Sequence, residues 1–89
     1  MNKYLVKNGH LYGGTQKLYK FPNSYGASIV NNKFSHGTEL AVIQWNNGKY
    51  DICYDTPITD NVIGYLDPED VEGILKRIFE LEVKEQSND

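Results

Sequence analysis

Residues 40–55 constrain this chain more than any other stretch. Leu40-Ala41-Val42-Ile43-Gln44-Trp45 is followed by Asn46-Asn47-Gly48-Lys49 and then Tyr50-Asp51-Ile52-Cys53-Tyr54-Asp55. Asn-Gly favours a two-residue type I′ turn, because both central positions need positive φ. With Asn47-Gly48 as the loop, Trp45 faces Tyr50, Ile43 faces Ile52 and Ala41 faces Tyr54, six largely apolar residues on one face. The other face carries Gln44, Asp51, Val42, Cys53, Leu40 and Asp55 and is mixed. A slip of one residue would scatter these pairs, each of which adds about 0.2–1 kcal/mol.

The segments on either side extend the pattern. Gly26–Asn31 reads as a strand, with Phe34-Ser35-His36-Gly37 in the connection to residue 39. Lys17–Phe21 alternates polar and apolar and ends at the turn cluster Pro22-Asn23-Ser24-Tyr25-Gly26. Tyr4–Lys7 and His10–Tyr12 flank Asn8-Gly9, a candidate hairpin over residues 1–14 that Gly13-Gly14 breaks. Residues 16–55 then form an antiparallel meander, since short connections favour antiparallel neighbours. After the loop Thr56–Asn61, Val62–Leu66 reads as a short added strand.

Asp67-Pro68-Glu69-Asp70 is a helix start, with Asp67 as N-cap, Pro68 at N1 and acids at the positive end of the dipole. Val71, Ile74, Leu75, Ile78 and Leu81 recur at helical spacing over 67–84, and Glu72, Lys76, Glu80 and Lys84 alternate in sign on the other face. Gly73 costs about 1 kcal/mol relative to Ala and would allow close approach to the sheet. The tail 85–89 is expected to fray. The helix stripe needs a partner and the Trp45/Ile43/Ile52/Tyr54 face needs a cover, so the expectation is that each covers the other. The fold class is α+β, a meander of four to five strands packed against one C-terminal helix.

Size bounds the rest. Eighty-nine residues make one domain with a modest core. Cys53 is the only cysteine, so no disulfide forms within the chain, and a homodimer is one way to gain stability. The chain has no run of 18 apolar residues and no signal-peptide pattern, which points away from membranes and toward the cytoplasm. The net charge of -3 is unevenly divided. Residues 1–38 hold five lysines and no acid, net +5; residues 39–89 hold all 12 acids against four basic residues, net -8.

Chemistry is sparse. His10, His36 and Cys53 match no metal-ligand spacing. Cys53 with either histidine is formally a nucleophile and base, but a mid-strand cysteine beside Val42 reads as core filler. Asp51 and Asp55 share a strand face about 13 Å apart, too far for a shared metal or an acid/base pair. Gly9, Gly13 and Gly14 lack phosphate-loop spacing. No cofactor is implied, and the reading is non-enzymatic.

Two surfaces remain. Asp51, Asp55, Asp60, Glu69, Asp70 and Glu72 form a candidate acidic surface for a protein partner. Lys3, Lys7, Lys17, Lys20 and Lys33 with Tyr12 and Tyr25 form a candidate basic and aromatic surface suited to single-stranded nucleic acid. The tyrosine-rich meander, the stretch HLYGGTQKLYKFPNSYGAS and the acidic helix after VIGYLDPEDVEGIL resemble small accessory proteins of bacterial phages and prophages. That resemblance implies an accessory or anti-defence protein that binds a host protein. The leading expectation is therefore a small protein-binding module, and nucleic-acid binding is the alternative.

Overall fold

In the computed structural model, which describes residues 1–58 and 62–82, the Asn47-Gly48 hairpin forms as its pattern requires. Asn47 and Gly48 have φ of 55° and 80°. Strand β4 (Glu39–Asn46) pairs antiparallel with β5 (Lys49–Ile52), with Trp45 opposite Tyr50 and Ile43 opposite Ile52. The ladder stops there: Tyr54 falls beyond β5 and does not pair with Ala41, which stays in β4 opposite Ser28, and one further bond, Cys53 N–H to the Val42 carbonyl at 2.8 Å, follows it. Upstream lie β1 (Leu5–Leu11), β2 (Gly14–Lys20) and β3 (Tyr25–Asn31). The five strands form one antiparallel sheet in the order β1-β2-β3-β4-β5, and helix α1 (Pro68–Phe79) follows.

The first hairpin turns four residues later than the Asn8-Gly9 pair suggests. Asn8 and Gly9 lie inside β1, opposite Lys17 and Gln16, and the two-residue loop is Tyr12-Gly13. Tyr12 adopts φ 51°, a left-handed conformation that costs a residue with a Cβ roughly 1–2 kcal/mol. The gain is length. A turn at Asn8-Gly9 leaves arms of three or four residues, whereas the observed turn aligns two seven-residue strands and brings Leu5 opposite Tyr19. A bulge between Leu5 and Lys7 then moves the apolar side chain of Leu5 and the charge of Lys7 to opposite faces. The segment Val62–Leu66 contributes no full strand; it makes a single bridge, Ile63 to Leu40, with hydrogen bonds of 2.8 and 3.0 Å.

Helix α1 begins as its sequence dictates. Asp67 is the N-cap, Pro68 takes the first helical position, and the Asp70 carboxylate accepts the Asp67 N–H at 3.0 Å. It ends at Phe79, short of residue 84, and the 85–89 tail lies outside the described residues. Leu75 and Ile78 are fully buried, and Val71, Ile74 and Leu81 pack around them. Burying a Leu or Ile side chain completely is worth about 1.5–3 kcal/mol, so these two anchor the helix.

The face that α1 covers is the reverse of the one expected. It packs on Tyr19, Phe21, Tyr25, Ala27, Ile29, Leu40 and Val42, with Leu5 and Cys53 at the margin. The Trp45/Ile43/Ile52 face points the other way. The reason lies in β2 and β3. In register, Tyr19, Ala27 and Val42 form one rung and Ile29 and Leu40 share the next, so most of the apolar bulk of β2 and β3 stands on the Val42 side. On the Trp45 side β3 offers only Gly26 and Ser28 before Val30. The β4–β5 hairpin alone carries no information about that imbalance.

The far end of the helix is held by a side chain from another element. Asn23, 8% exposed in the β2–β3 turn, donates its amide to the carbonyls of Ile78 at 2.9 Å, Phe79 at 3.2 Å and Leu81 at 2.9 Å. Its Oδ1 accepts the Tyr25 N–H at 3.0 Å. The Ile78 carbonyl also accepts the Leu81 N–H at 3.1 Å, and the three carbonyls lie at or just past the end of α1, where intrahelical donors run out. Gly73 takes no part in close packing; it is exposed, and an added Cβ there would meet nothing within 4 Å.

These contacts set three expectations for thermal or denaturant unfolding. Asn23→Ala removes the amide donor from the part-buried Phe79 and Leu81 carbonyls and lowers stability by about 1–3 kcal/mol. Gly73→Ala raises it by about 1 kcal/mol, from helix propensity alone. Gly26→Ala lowers it more than either change alters it, because the new Cβ overlaps the Tyr19 carbonyl oxygen and meets Trp45 Nε1 at 2.8 Å. A neutral Asn23→Ala would show that the helix end finds other donors.

Candidate functional site

The sheet face that α1 leaves uncovered holds a groove, and strand alternation builds it. On that face β2 presents Leu18 and Lys20, β3 presents Gly26 and Ser28, and β4 presents Ala41, Ile43 and Trp45. The small residues of β3 leave a trough between larger neighbours. Trp45 reaches across it: the indole lies over Gly26 and Nε1 donates to the Tyr19 carbonyl on β2 at 2.9 Å. Its ring centroid is 5.1 Å from that of Tyr50, and the Lys20 ammonium sits over it at 5.6 Å. Ile43 below is fully buried although no helix covers this face.

The resulting groove is shallow and open, with a volume of about 620 Å³, and is lined by Val6, Lys7, Leu18 and Lys20 from one side and Trp45, Gly48, Lys49 and Tyr50 from the other. Val6, 54% exposed, Ile52 and Tyr50 leave apolar surface open beside it. Three lysines line the groove, no carboxylate does, and none of the three has a carboxylate partner among the described residues. Asp51 is excluded by alternation. It pairs with Gln44 and so points to the opposite face from Tyr50 and Ile52.

The two surfaces expected from the sequence do not form as units. Asp51 and Asp55 are exposed in a cleft of about 730 Å³ beside Asn23, Ser24 and Cys53, at the end of the sheet where Asn23 meets the helix C-terminus. Glu69, Asp70 and Glu72 are exposed on the first turns of α1, at the other end of the helix; Asp70 is engaged with the Asp67 N–H. Asp60 lies outside the described residues. The acids are thus split along the helix, whose 12 residues span about 18 Å.

The basic set divides as well. Lys7 and Lys20 meet in the groove. Lys17 is on the helix side, in a cleft with Tyr19, Asn31, Thr38 and Glu72. Lys3 sits over the Tyr4 ring at 5.3 Å and Lys33 over Phe34 at 5.4 Å. Tyr12 is exposed and meets Phe34 edge-on at 5.4 Å. Tyr25 is a correction: at 6% exposure it belongs to the core beneath α1, because its parity in β3 matches Ala27 and Ile29.

Sequence reasoning missed Lys49, Trp45, Tyr50, Leu18 and Val6 as site residues. Lys49 sits in the acidic half, so counting charge by halves hid it. Once the turns are known, alternation in β2 and β4 places Leu18, Lys20, Ile43 and Trp45 on one face.

Other chemistry is thin. Cys53 is half-buried against the core, and its thiol donates to Asp55 Oδ1 at 2.9 Å. His10 is paired with Thr15 in the β1–β2 ladder, and His36 Nδ1 lies 2.9 Å from Glu39 Oε2. Among the described residues no three His, Cys, Asp or Glu side chains are grouped to hold a metal, and no helix is long and apolar enough to cross a membrane. No protein-family model, curated protein or solved structure matches this chain.

On the helix side, burial and then the nearby Glu72 carboxylate raise the Tyr19 phenol above its usual 10.0. The fold therefore favours the neutral phenol. That contribution is whole below pH 10 and is lost as pH rises through the raised folded value. An absorbance titration of the seven tyrosines should contain a late phenol that Tyr19→Phe removes, and stability above pH 10 should fall less steeply in that variant. An unchanged profile would contradict the assignment.

Proposed function

We propose that this chain is a non-enzymatic binding module that docks a protein partner on the sheet face opposite its helix. The observation that carries this reading is the open groove between β1–β2 and β4–β5, with an apolar floor, aromatic walls and a cationic rim. Exposed apolar surface rimmed by polar groups is the usual physical mark of an interaction site. Aromatic residues such as Trp45 and Tyr50 supply large contact area at low entropic cost. Both edge strands, β1 and β5, also contribute lining residues to the groove, so a bound segment would lie beside unpaired backbone groups.

Single-stranded nucleic acid is the second reading, drawn from the same lysines beside Tyr50. It is the weaker one. Stacking needs an available ring face, and the Trp45 indole is already committed to Gly26, Lys20 and Tyr50. The remaining lysines, Lys3, Lys17 and Lys33, do not continue the groove as a track for a phosphate backbone.

Affinity capture with three forms of the protein tests the docking face. Wild type and Glu69→Gln/Glu72→Gln should enrich the same protein from a lysate of the encoding cell or its host. Val6→Ser/Tyr50→Ser, which removes exposed apolar lining, should lose it by about tenfold, equivalent to about 1.4 kcal/mol. Retention by the groove variant with loss by the helix variant would move the binding surface to α1, and enrichment of nothing by wild type would count against a protein partner.

A further inference from the structure

The groove has a sign as well as a shape. Lys7 comes from β1, Lys20 from the end of β2 and Lys49 from the start of β5, and all three line it. The chain holds 12 acids against nine basic residues, yet three lysines and no carboxylate line this groove. Asp51, next to Tyr50 on β5, points to the opposite face from Tyr50. Glu39, the acid on β4, pairs with His36 instead.

Resting on the docking reading above, we infer that the groove's occupant is an acidic, extended polypeptide segment. Its carboxylates would meet the lysines that line the groove, and an apolar side chain would lie against the exposed Val6 and Tyr50. Complementary charge speeds encounter and rejects basic or neutral competitors. Lys20 is the pivotal residue: its ammonium already sits over the Trp45 ring at 5.6 Å, so it is positioned before the ligand arrives.

Trp45 is the only tryptophan and forms a groove wall, so its fluorescence reports occupancy directly. The probes are a ten-residue peptide of alternating Glu and Leu, its Gln-for-Glu twin, and oligodeoxythymidylate of ten nucleotides. The Glu peptide should give a saturable change in Trp45 emission. Its affinity should fall about tenfold in Lys7→Gln/Lys20→Gln/Lys49→Gln, in line with three exposed ion contacts, and stay unchanged in Lys3→Gln/Lys33→Gln. Equal binding by the Gln twin would overturn the acidic occupant while leaving the docking face standing. Tighter, lysine-dependent binding of the oligonucleotide would overturn both readings. No Trp45 response to any probe would overturn the inference alone, since the capture experiment judges the docking face independently.

Discussion

The amide of Asn23 is the tie on which the relation between helix and sheet depends. A 12-residue helix has only marginal stability by itself. Here its N-terminus is capped from within, by Asp67 and Asp70, whereas at its C-terminus the local bonds, Glu80 N–H to Lys76 and Leu81 N–H to the fully buried Ile78, leave the Phe79 and Leu81 carbonyls to be met from outside. One side chain from the β2–β3 turn supplies the donors. Because the same side chain also accepts the Tyr25 N–H, the turn geometry, the start of β3 and the end of α1 form one connected unit. Leu75 and Ile78 supply the apolar energy for docking, and Asn23 sets where along the sheet the helix stops.

That docking divides the sheet into two different faces. The covered face takes the large apolar residues of β2 and β3, and aromatic contacts extend it, with Tyr4, Phe21 and Phe79 in mutual contact at 5.3 to 5.7 Å. The open face receives what remains: Gly26 and Ser28 at the centre, Trp45 laid across them, and lysines at the margin. The groove is a consequence of helix placement, since small residues on the central strand create a trough only where nothing packs into it. Gly26 is required on the open face of this arrangement. A Cβ would collide with the neighbouring strand's backbone and with the indole that forms the groove wall.

The charge pattern takes its meaning from the same geometry. In sequence the basic residues gather in one half and the acids in the other, which suggests two opposed surfaces. In the fold the halves interleave. Lys49 from the acidic half joins Lys7 and Lys20, while Lys17 from the basic half crosses to the helix side near Glu72. Functional surfaces in a meander follow strand parity and adjacency, and neither is visible in a count along the chain.

Much of the local structure was determined by the sequence itself: the Asn47-Gly48 turn and the pairing of Trp45 with Tyr50 and of Ile43 with Ile52, the order of the strands as a meander, and the start of α1 at Asp67-Pro68. Each rests on interactions among residues close in the chain, where φ preference, capping and period-2 alternation act directly. The first turn was misplaced because Tyr12-Gly13 is locally less favourable than Asn8-Gly9 and wins only through the length of the ladder it permits. The face that the helix covers, the burial of Tyr25 and the meeting of Lys7, Lys20 and Lys49 were decided by tertiary structure alone. They depend on how much apolar volume four strands place on each side together, a sum over residues distant in sequence that no single hairpin contains.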